Sequence, residues 1–311
     1  MSHEHHHSHA GHAHGGHGHS HAPASFDRAF AIGIALNLGF VAIEALYGFI
    51  ANSMALLADA GHNLSDVLGL VIAWGASMLA KRPPSERYTY GLRSTSILAA
   101  LLNAVFLLVA TGGIAWEALR RFSEPAPVAG MTVIIVAAIG IVINGVTAWL
   151  FASGRKGDIN IKGAYLHMAA DAGVSAGVVV AGAVMLFTGW SWVDPAVSLV
   201  IAVIIVWGTW GLFRESIAMT LNAVPSGIDT AKVKSYLASL PGVAQVHDLH
   251  IWSMSTTETA LTAHLVMPTG APGDAFLMRV AEDLSHRFKI VHPTIQIECG
   301  DDCRLAPDNV V

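Results

Sequence analysis

The chain has 311 residues, 53% of them hydrophobic and only 13% charged, with a mean hydropathy of +0.54. That is the composition of a membrane protein. A formal net charge of -5, with 17 Lys and Arg residues that gather in no single patch, excludes nucleic acid as a partner.

Residues 1–25 hold ten of the 17 histidines, interleaved with Gly, Ala and Ser, and carry no apolar side chain larger than Met before Phe26. Such a segment cannot bury a core, so a disordered His-rich arm is expected, a metal collector of low specificity. It has no apolar stretch of the kind a secretory signal needs.

Six apolar spans follow, near 28–51, 54–80, 92–118, 129–152, 162–188 and 193–217. Each can cross a hydrocarbon core, which takes about 20 helical residues. The expected architecture over 26–218 is therefore an all-α transmembrane domain of six helices embedded in a lipid bilayer. Asp194 and Pro195 read as the N-cap and first residue of the sixth helix. Arg28, the loop of Lys81, Arg82, Arg87 and Arg93, the loop of Arg155, Lys156 and Lys162, and Arg214 share one side, against Arg120 and Arg121 on the other. The positive-inside rule makes the first side cytoplasmic, with both termini there.

The second span carries Asp59-Ala-Gly-His-Asn-Leu-Ser-Asp66 at membrane depth, where ionisable groups default to a functional reading. His62 and Asp66 are four apart and share a helical face. His167-Met-Ala-Ala-Asp171 repeats the spacing in the fifth span. Either pair alone reads equally well as an interhelical hydrogen-bonding strut. Together they offer two nitrogens and at least two oxygens, a tetrahedral set that suits zinc. Small residues at spacing four, Gly61, Ser65, Gly69, Ala73 and Ser77 in one span and Ala169, Gly173, Gly177 and Ala181 in the other, predict a close contact between the two helices. Asp59 is expected to orient His62 or to sit at the cavity mouth. Asn37 and Glu44 in the first span read as interhelical hydrogen-bonding groups or as part of a proton path.

From about Leu221 a soluble domain is expected, over 219–300, with a short tail at 301–311. A helix capped by Asp229 runs to Leu240; strands follow at 243–252 and 259–267, then a helix at 273–288 and a strand at 294–299. The α-β-β-α-β order suits a small α+β, ferredoxin-like domain with helices on one face of the sheet. His247 and His250, three apart in a strand, are expected on opposite faces. Cys299 and Cys303 lack the spacing of a zinc knuckle, and a structural disulfide is not expected in the cytosol. No Gly-rich phosphate loop, Gly-x-Ser-x-Gly or His-Glu-x-x-His appears, so an enzyme is not indicated.

On Ser53-Met-Ala-Leu-Leu-Ala-Asp-Ala-Gly-His-Asn-Leu-Ser-Asp66, His167-Met-Ala-Ala-Asp171, Tyr88-Thr-Tyr-Gly91 and Val246-His-Asp-Leu-His-Ile-Trp252, the chain resembles the cation diffusion facilitator family, close to its bacterial zinc/cobalt/cadmium-resistance type. The resemblance covers about residues 26–300. It implies a homodimeric, multi-pass protein of the bacterial inner membrane that exports cytosolic Zn2+ in exchange for protons, with cytoplasmic domains that dimerise. Carried over, the transport site is His62, Asp66, His167 and Asp171, a pattern similar to that of zinc-preferring members. A cytoplasmic zinc site would draw on His247 and His264, with Glu298 where relatives place a further His. The alternatives are export of cobalt or cadmium, and a membrane metal sensor without transport.

Overall fold

The computed structural model describes residues 24–80, 82–124, 126–152 and 159–300; side chains at 24–34, 66, 69–70, 72–74, 76–77, 80, 151 and 159–164 are outside that description. The His-rich arm before residue 24, Cys303 and the tail fall outside the described residues.

Helices α1 (Ala24–Ile50), α2 (Met54–Ala80), α3 (Thr95–Ser123), α4 (Gly130–Ala152), α5 (Ile159–Thr188) and α6 (Val193–Thr220) form the apolar half of the chain. Among the described residues, four stretches are long and apolar enough to cross a membrane on their own: all of α3 and α6, and most of α4 and α5. In α1 the described apolar stretch is Ala35–Ile50, while α2 is interrupted by the polar residues that build the site. The α1–α2 turn passes through Asn52 in the left-handed region, φ 54°, a conformation Asn tolerates better than most residues. Arg121, in the last turn of α3, donates to the carbonyl and the side-chain oxygen of that same Asn52 at 2.5 and 2.7 Å.

Asp194 corrects the sequence reading. It lies inside the first turn of α6, whose N-cap is Trp192, and it is fully buried. Its carboxylate accepts from Ser53 Oγ at 2.5 Å and from the backbone N–H of Met54 and Ala55 at 2.6 and 3.4 Å. A carboxylate of α6 thus satisfies the orphan donors at the positive end of α2.

Among the described residues, the small-residue stripes do not make the expected α2–α5 seam; Gly69, Ala73 and Ser77 of the α2 stripe lie outside that description. A Cβ at Gly173 or Gly177 would meet nothing within 4 Å, and one at Gly61 would face Ile114 of α3. The tight crossing is α4 on α5: a Cβ at Gly182 would come within 2.8 Å of Ile134 Cγ1, and one at Gly130 within 3.1 Å of the Gly182 carbonyl. Glycine permits this backbone approach because nothing stands between the helices. Phe40, Leu56, Val133, Ala137 and Val178 fill the centre of the bundle. Gly173 and Gly177 are exposed on α5, on a different face from buried Asp171 and Ser175.

The soluble part has α7 (Thr230–Ala238), β1 (Gln245–Ser253), β2 (Thr259–Val266), α8 (Asp274–Phe288) and β3 (Ile290–Glu298), the α-β-β-α-β order expected. The sheet order is β1-β2-β3, with β1 antiparallel and β3 parallel to β2. Val233 and Leu237 of α7 and Phe276, Val280 and Leu284 of α8 pack with Leu261 and Leu265 of β2 in one core. The last strand begins at Ile290, four residues before the expected start at Thr294. Pro293 hides this in the sequence, but β3 is an edge strand, where a missing ladder N–H is tolerated. Arg93 Nη1 meets Glu258 Oε2 at 2.9 Å, Ser94 Oγ donates to the Met254 carbonyl at 3.2 Å, and Thr256 N donates to Ser96 Oγ at 3.1 Å. The start of α3 is thereby joined to the β1–β2 turn.

Candidate metal centres

Asp171 of α5 is buried, and its two carboxylate oxygens face two different imidazoles. Oδ1 lies 3.7 Å from His62 Nε2 of α2, and Oδ2 lies 3.6 Å from His167 Nε2 one turn earlier in α5. The two rings stand edge to face, with centroids 6.0 Å apart. These separations exceed a hydrogen bond. Each is close to the roughly 3.3–3.6 Å between donor atoms of a tetrahedral zinc ion with bonds of about 2.0–2.2 Å, although the ligand atoms of His62, His167 and Asp171 do not all come within 4.8 Å of one another. Three of the four residues proposed from the sequence therefore converge from two helices. The side chain of the fourth, Asp66, lies outside the described residues.

A polar layer that the sequence showed only in part lies beside this centre. Ser175 Oγ, one turn beyond Asp171, donates to Asp59 Oδ2 at 3.2 Å, and Asn63 Nδ2 donates to Glu44 Oε2 at 3.3 Å. Glu44, Asp59 and Ser175 are all fully buried. Asn37 Nδ2 reaches Met168 Sδ at 3.7 Å, so the first helix is hydrogen-bonded to the fifth as well as to the second. Sequence reasoning missed Ser175 and Asn63. The available signal was Glu44 itself, a carboxyl in an apolar helix that needs a donor from a neighbour.

A second cluster sits in the soluble domain. His247, His264 and Glu298, one from each strand, bring ligand atoms within 4.8 Å of one another. Glu298 Oε2 lies 3.0 Å from His247 Nε2 and its Oε1 lies 2.8 Å from His264 Nδ1. The second contact is short but off the line of a hydrogen bond, and His264 Nδ1 has no hydrogen-bond partner among the described residues. His250 departs from expectation. The β1–β2 register shifts between His247, opposite His264, and His250, opposite Thr262, with Asp248 in the left-handed region at φ 48°. The extra residue of this bulge returns His250 to the same face as His247. Asp248 then joins the cluster: its Oδ1 lies 2.8 Å from His250 Nε2 and its Oδ2 lies 3.4 Å from His264 Nε2. Cys299 follows β3 as an exposed free thiol.

With this geometry in hand, two family descriptions match consecutive parts of the chain: "Cation efflux transmembrane domain" over residues 30–220 and "Cation efflux protein, cytoplasmic domain" over residues 225–299. The chain belongs to the cation efflux family. Similar proteins include the "Cation efflux system protein CzcD" of Alcaligenes sp. (strain CT14), 36% identical over 277 residues that make up 89% of this chain and 88% of the relative. The "Cadmium, cobalt and zinc/H(+)-K(+) antiporter" of Bacillus subtilis (strain 168) is 35% identical over 86% of this chain and 87% of its own length. The "Zinc transporter ZitB" of Escherichia coli (strain K12) is 34% identical, covering 89% of both chains. This cation efflux protein is accordingly a multi-pass membrane protein of a transporter family, with a C-terminal domain of the family's cytoplasmic type.

Proposed function

We propose that the protein exports Zn2+ from the cytosol in exchange for protons, with His62, Asp66, His167 and Asp171 as the ligands of the ion in transit. The observation that carries this reading is the buried Asp171 carboxylate held between His62 and His167, two imidazoles and a carboxylate drawn from α2 and α5 inside an apolar bundle. Binding requires neutral imidazoles and ionised carboxylates, so loading the ion expels protons and protonation expels the ion. Coupling is then a property of the ligands themselves. The names of the Escherichia coli and Bacillus subtilis relatives support zinc as the substrate, and the latter's supports protons, named there together with K+, as the counter-ion and cobalt and cadmium as further substrates.

On this reading His247, His264 and Glu298 bind a regulatory zinc ion in the cytoplasmic domain, and the soluble domains of two chains pair in a homodimer. The membrane domain ends near residue 218, the soluble domain runs to about 300, and the protein sits in the bacterial inner membrane with both termini in the cytosol. The contacts of Arg93, Ser94 and Ser96 with the β1–β2 turn support a cytoplasmic α2–α3 connection, in line with its four basic residues.

The test is zinc uptake into proteoliposomes loaded with a pH-sensitive dye, for the wild type and Asp171→Ala. Zinc entry with proton counterflow, lost in the variant while its folding is unchanged, is the expected result. Transport that survives in both Asp66→Ala and Asp171→Ala would sink the site.

A further inference from the structure

We propose that Asn144 of α4 is a positioning residue for Asp171: when the ion is bound, its side-chain amide holds one oxygen of that carboxylate and leaves the other for the ion, which favours four-coordinate zinc over the larger cadmium ion. This rests on the reading of Asp171 as a ligand and adds a residue that touches the ligand instead of the ion.

The packing of α4 on α5 sets the two side chains level with each other. Gly130 and Ile134 lie against Gly182, and further along Gly140 lies against Ser175: a Cβ at Gly140 would come within 3.1 Å of Ser175 Oγ and 2.7 Å of Phe40 Cζ. Residue numbers rise along α4 as they fall along α5, so the two helices run antiparallel. Positions four apart share a helical face. One turn beyond Gly140 on its face is Asn144, and one turn before Ser175 on its face is Asp171. The next turn of the same register therefore brings Asn144 opposite Asp171.

Both residues are buried. Neither Nδ2 nor Oδ1 of Asn144 has a hydrogen-bond partner among the described residues, and Asp171 Oδ2 has none either. The nearest polar side chain on the Asn144 face, Thr147, donates its hydroxyl to the Ile143 carbonyl at 2.8 Å. An unpaired amide is costly in an apolar interior. Its Nδ2 carries two N–H donors, and an ionised carboxylate only accepts. The open donor and the open acceptor close on each other as the ion draws Asp171 into its coordination shell. A carboxylate oxygen held in this way is turned from the ion, so Asp171 supplies one oxygen to a tetrahedral set. Cadmium, being larger, gains from both oxygens of a carboxylate, and the same hold works against it. Selectivity among such ions is set by geometry and ligand type more than by raw affinity.

The experiment is equilibrium binding of zinc and of cadmium to the full-length protein in detergent, the transport equivalent being the one that Asp171→Ala loses. Asn144→Leu, similar in volume but without a donor, is expected to melt no lower than the wild type, to bind zinc at that equivalent roughly 10-fold more weakly, and to bind cadmium there no more weakly than the wild type. A zinc affinity unchanged in Asn144→Leu overturns the proposal, as does an equal loss for both metals, which marks a structural role. If Asn144→Leu does not fold, Asn144→Ala gives the same readouts. Binding that survives intact in Asp171→Ala overturns the ligand reading itself and this proposal with it, whereas its loss there, with Asn144→Leu at wild-type affinity, overturns the role of Asn144 alone.

Discussion

Arg93, where the chain enters α3, lies 2.9 Å from Glu258 in the β1–β2 turn of the soluble domain. Both side chains are about one-third exposed, so the pair contributes little to folding, roughly 0.2–1 kcal/mol. Its effect is on registration between the two parts of the chain. Arg93→Glu should leave the melting temperature nearly unchanged and increase hydrogen exchange in residues 254–258. Adding Glu258→Arg should restore protection, and protection that stays low in the double variant would assign the tether to Ser94 and Ser96 alone.

Asp194 and Ser53 make a stronger prediction. Removing the carboxylate leaves buried N–H groups of α2 without acceptors, so Asp194→Ala should cost roughly 2–3 kcal/mol. Ser53→Ala removes one hydrogen bond and should cost about 1 kcal/mol. Thermal unfolding in detergent reads both, and equal losses in the two variants would contradict the capping role.

In the soluble domain, His264 faces both Glu298 and Asp248. His264→Ala should therefore remove the cytoplasmic zinc equivalent from full-length protein while Asp171→Ala retains it. Zinc counted by mass spectrometry after gel filtration checks this. Loss of the same equivalent in both variants would show that the two centres are not independent.

The Tyr236 hydroxyl donates to Asp283 Oδ2 at 2.7 Å, beneath the guanidinium of Arg287. Partial burial, then the hydrogen bond to Asp283 and its negative charge, raise the phenol well above its ordinary 10.0. Folding thus favours the protonated ring. The stabilisation is complete below about pH 10 and is lost as pH rises from there through the higher folded value. The stability advantage of wild type over Tyr236→Phe should be flat below about pH 10 and shrink above it. Denaturant midpoints across that range supply the measurement, and an advantage that grows above pH 10 would refute the assignment.

Much of the architecture was legible because apolar length is a local property: the six long helices and the α-β-β-α-β order follow from runs and periods along the chain. The pairing of His62 with His167 and Asp171 was legible for a different reason, since charged groups at membrane depth need each other or an ion. What escaped depends on partners distant in sequence. Asp194 reads as a cap for its own helix, and only the fold shows that α2 offers it better donors. The bulge at Asp248 reverses the facing of His250, and no residue type marks it, because Asp is an ordinary strand interruption. The Gly173 and Gly177 stripe reads as a contact surface, but in the fold both glycines are exposed and no neighbouring helix approaches them.

The buried bonds from Asp194 to Met54 and Ser53 fix where α2 begins, and that makes the helix a lever with a defined fulcrum. His62 is eight residues along from Met54, about 12 Å at 1.5 Å per residue. A tilt of α2 about its fastened end by about 10° therefore carries the imidazole through about 2 Å, the length of a metal–ligand bond. Residues further along the helix sweep a wider arc, and the first turn hardly moves.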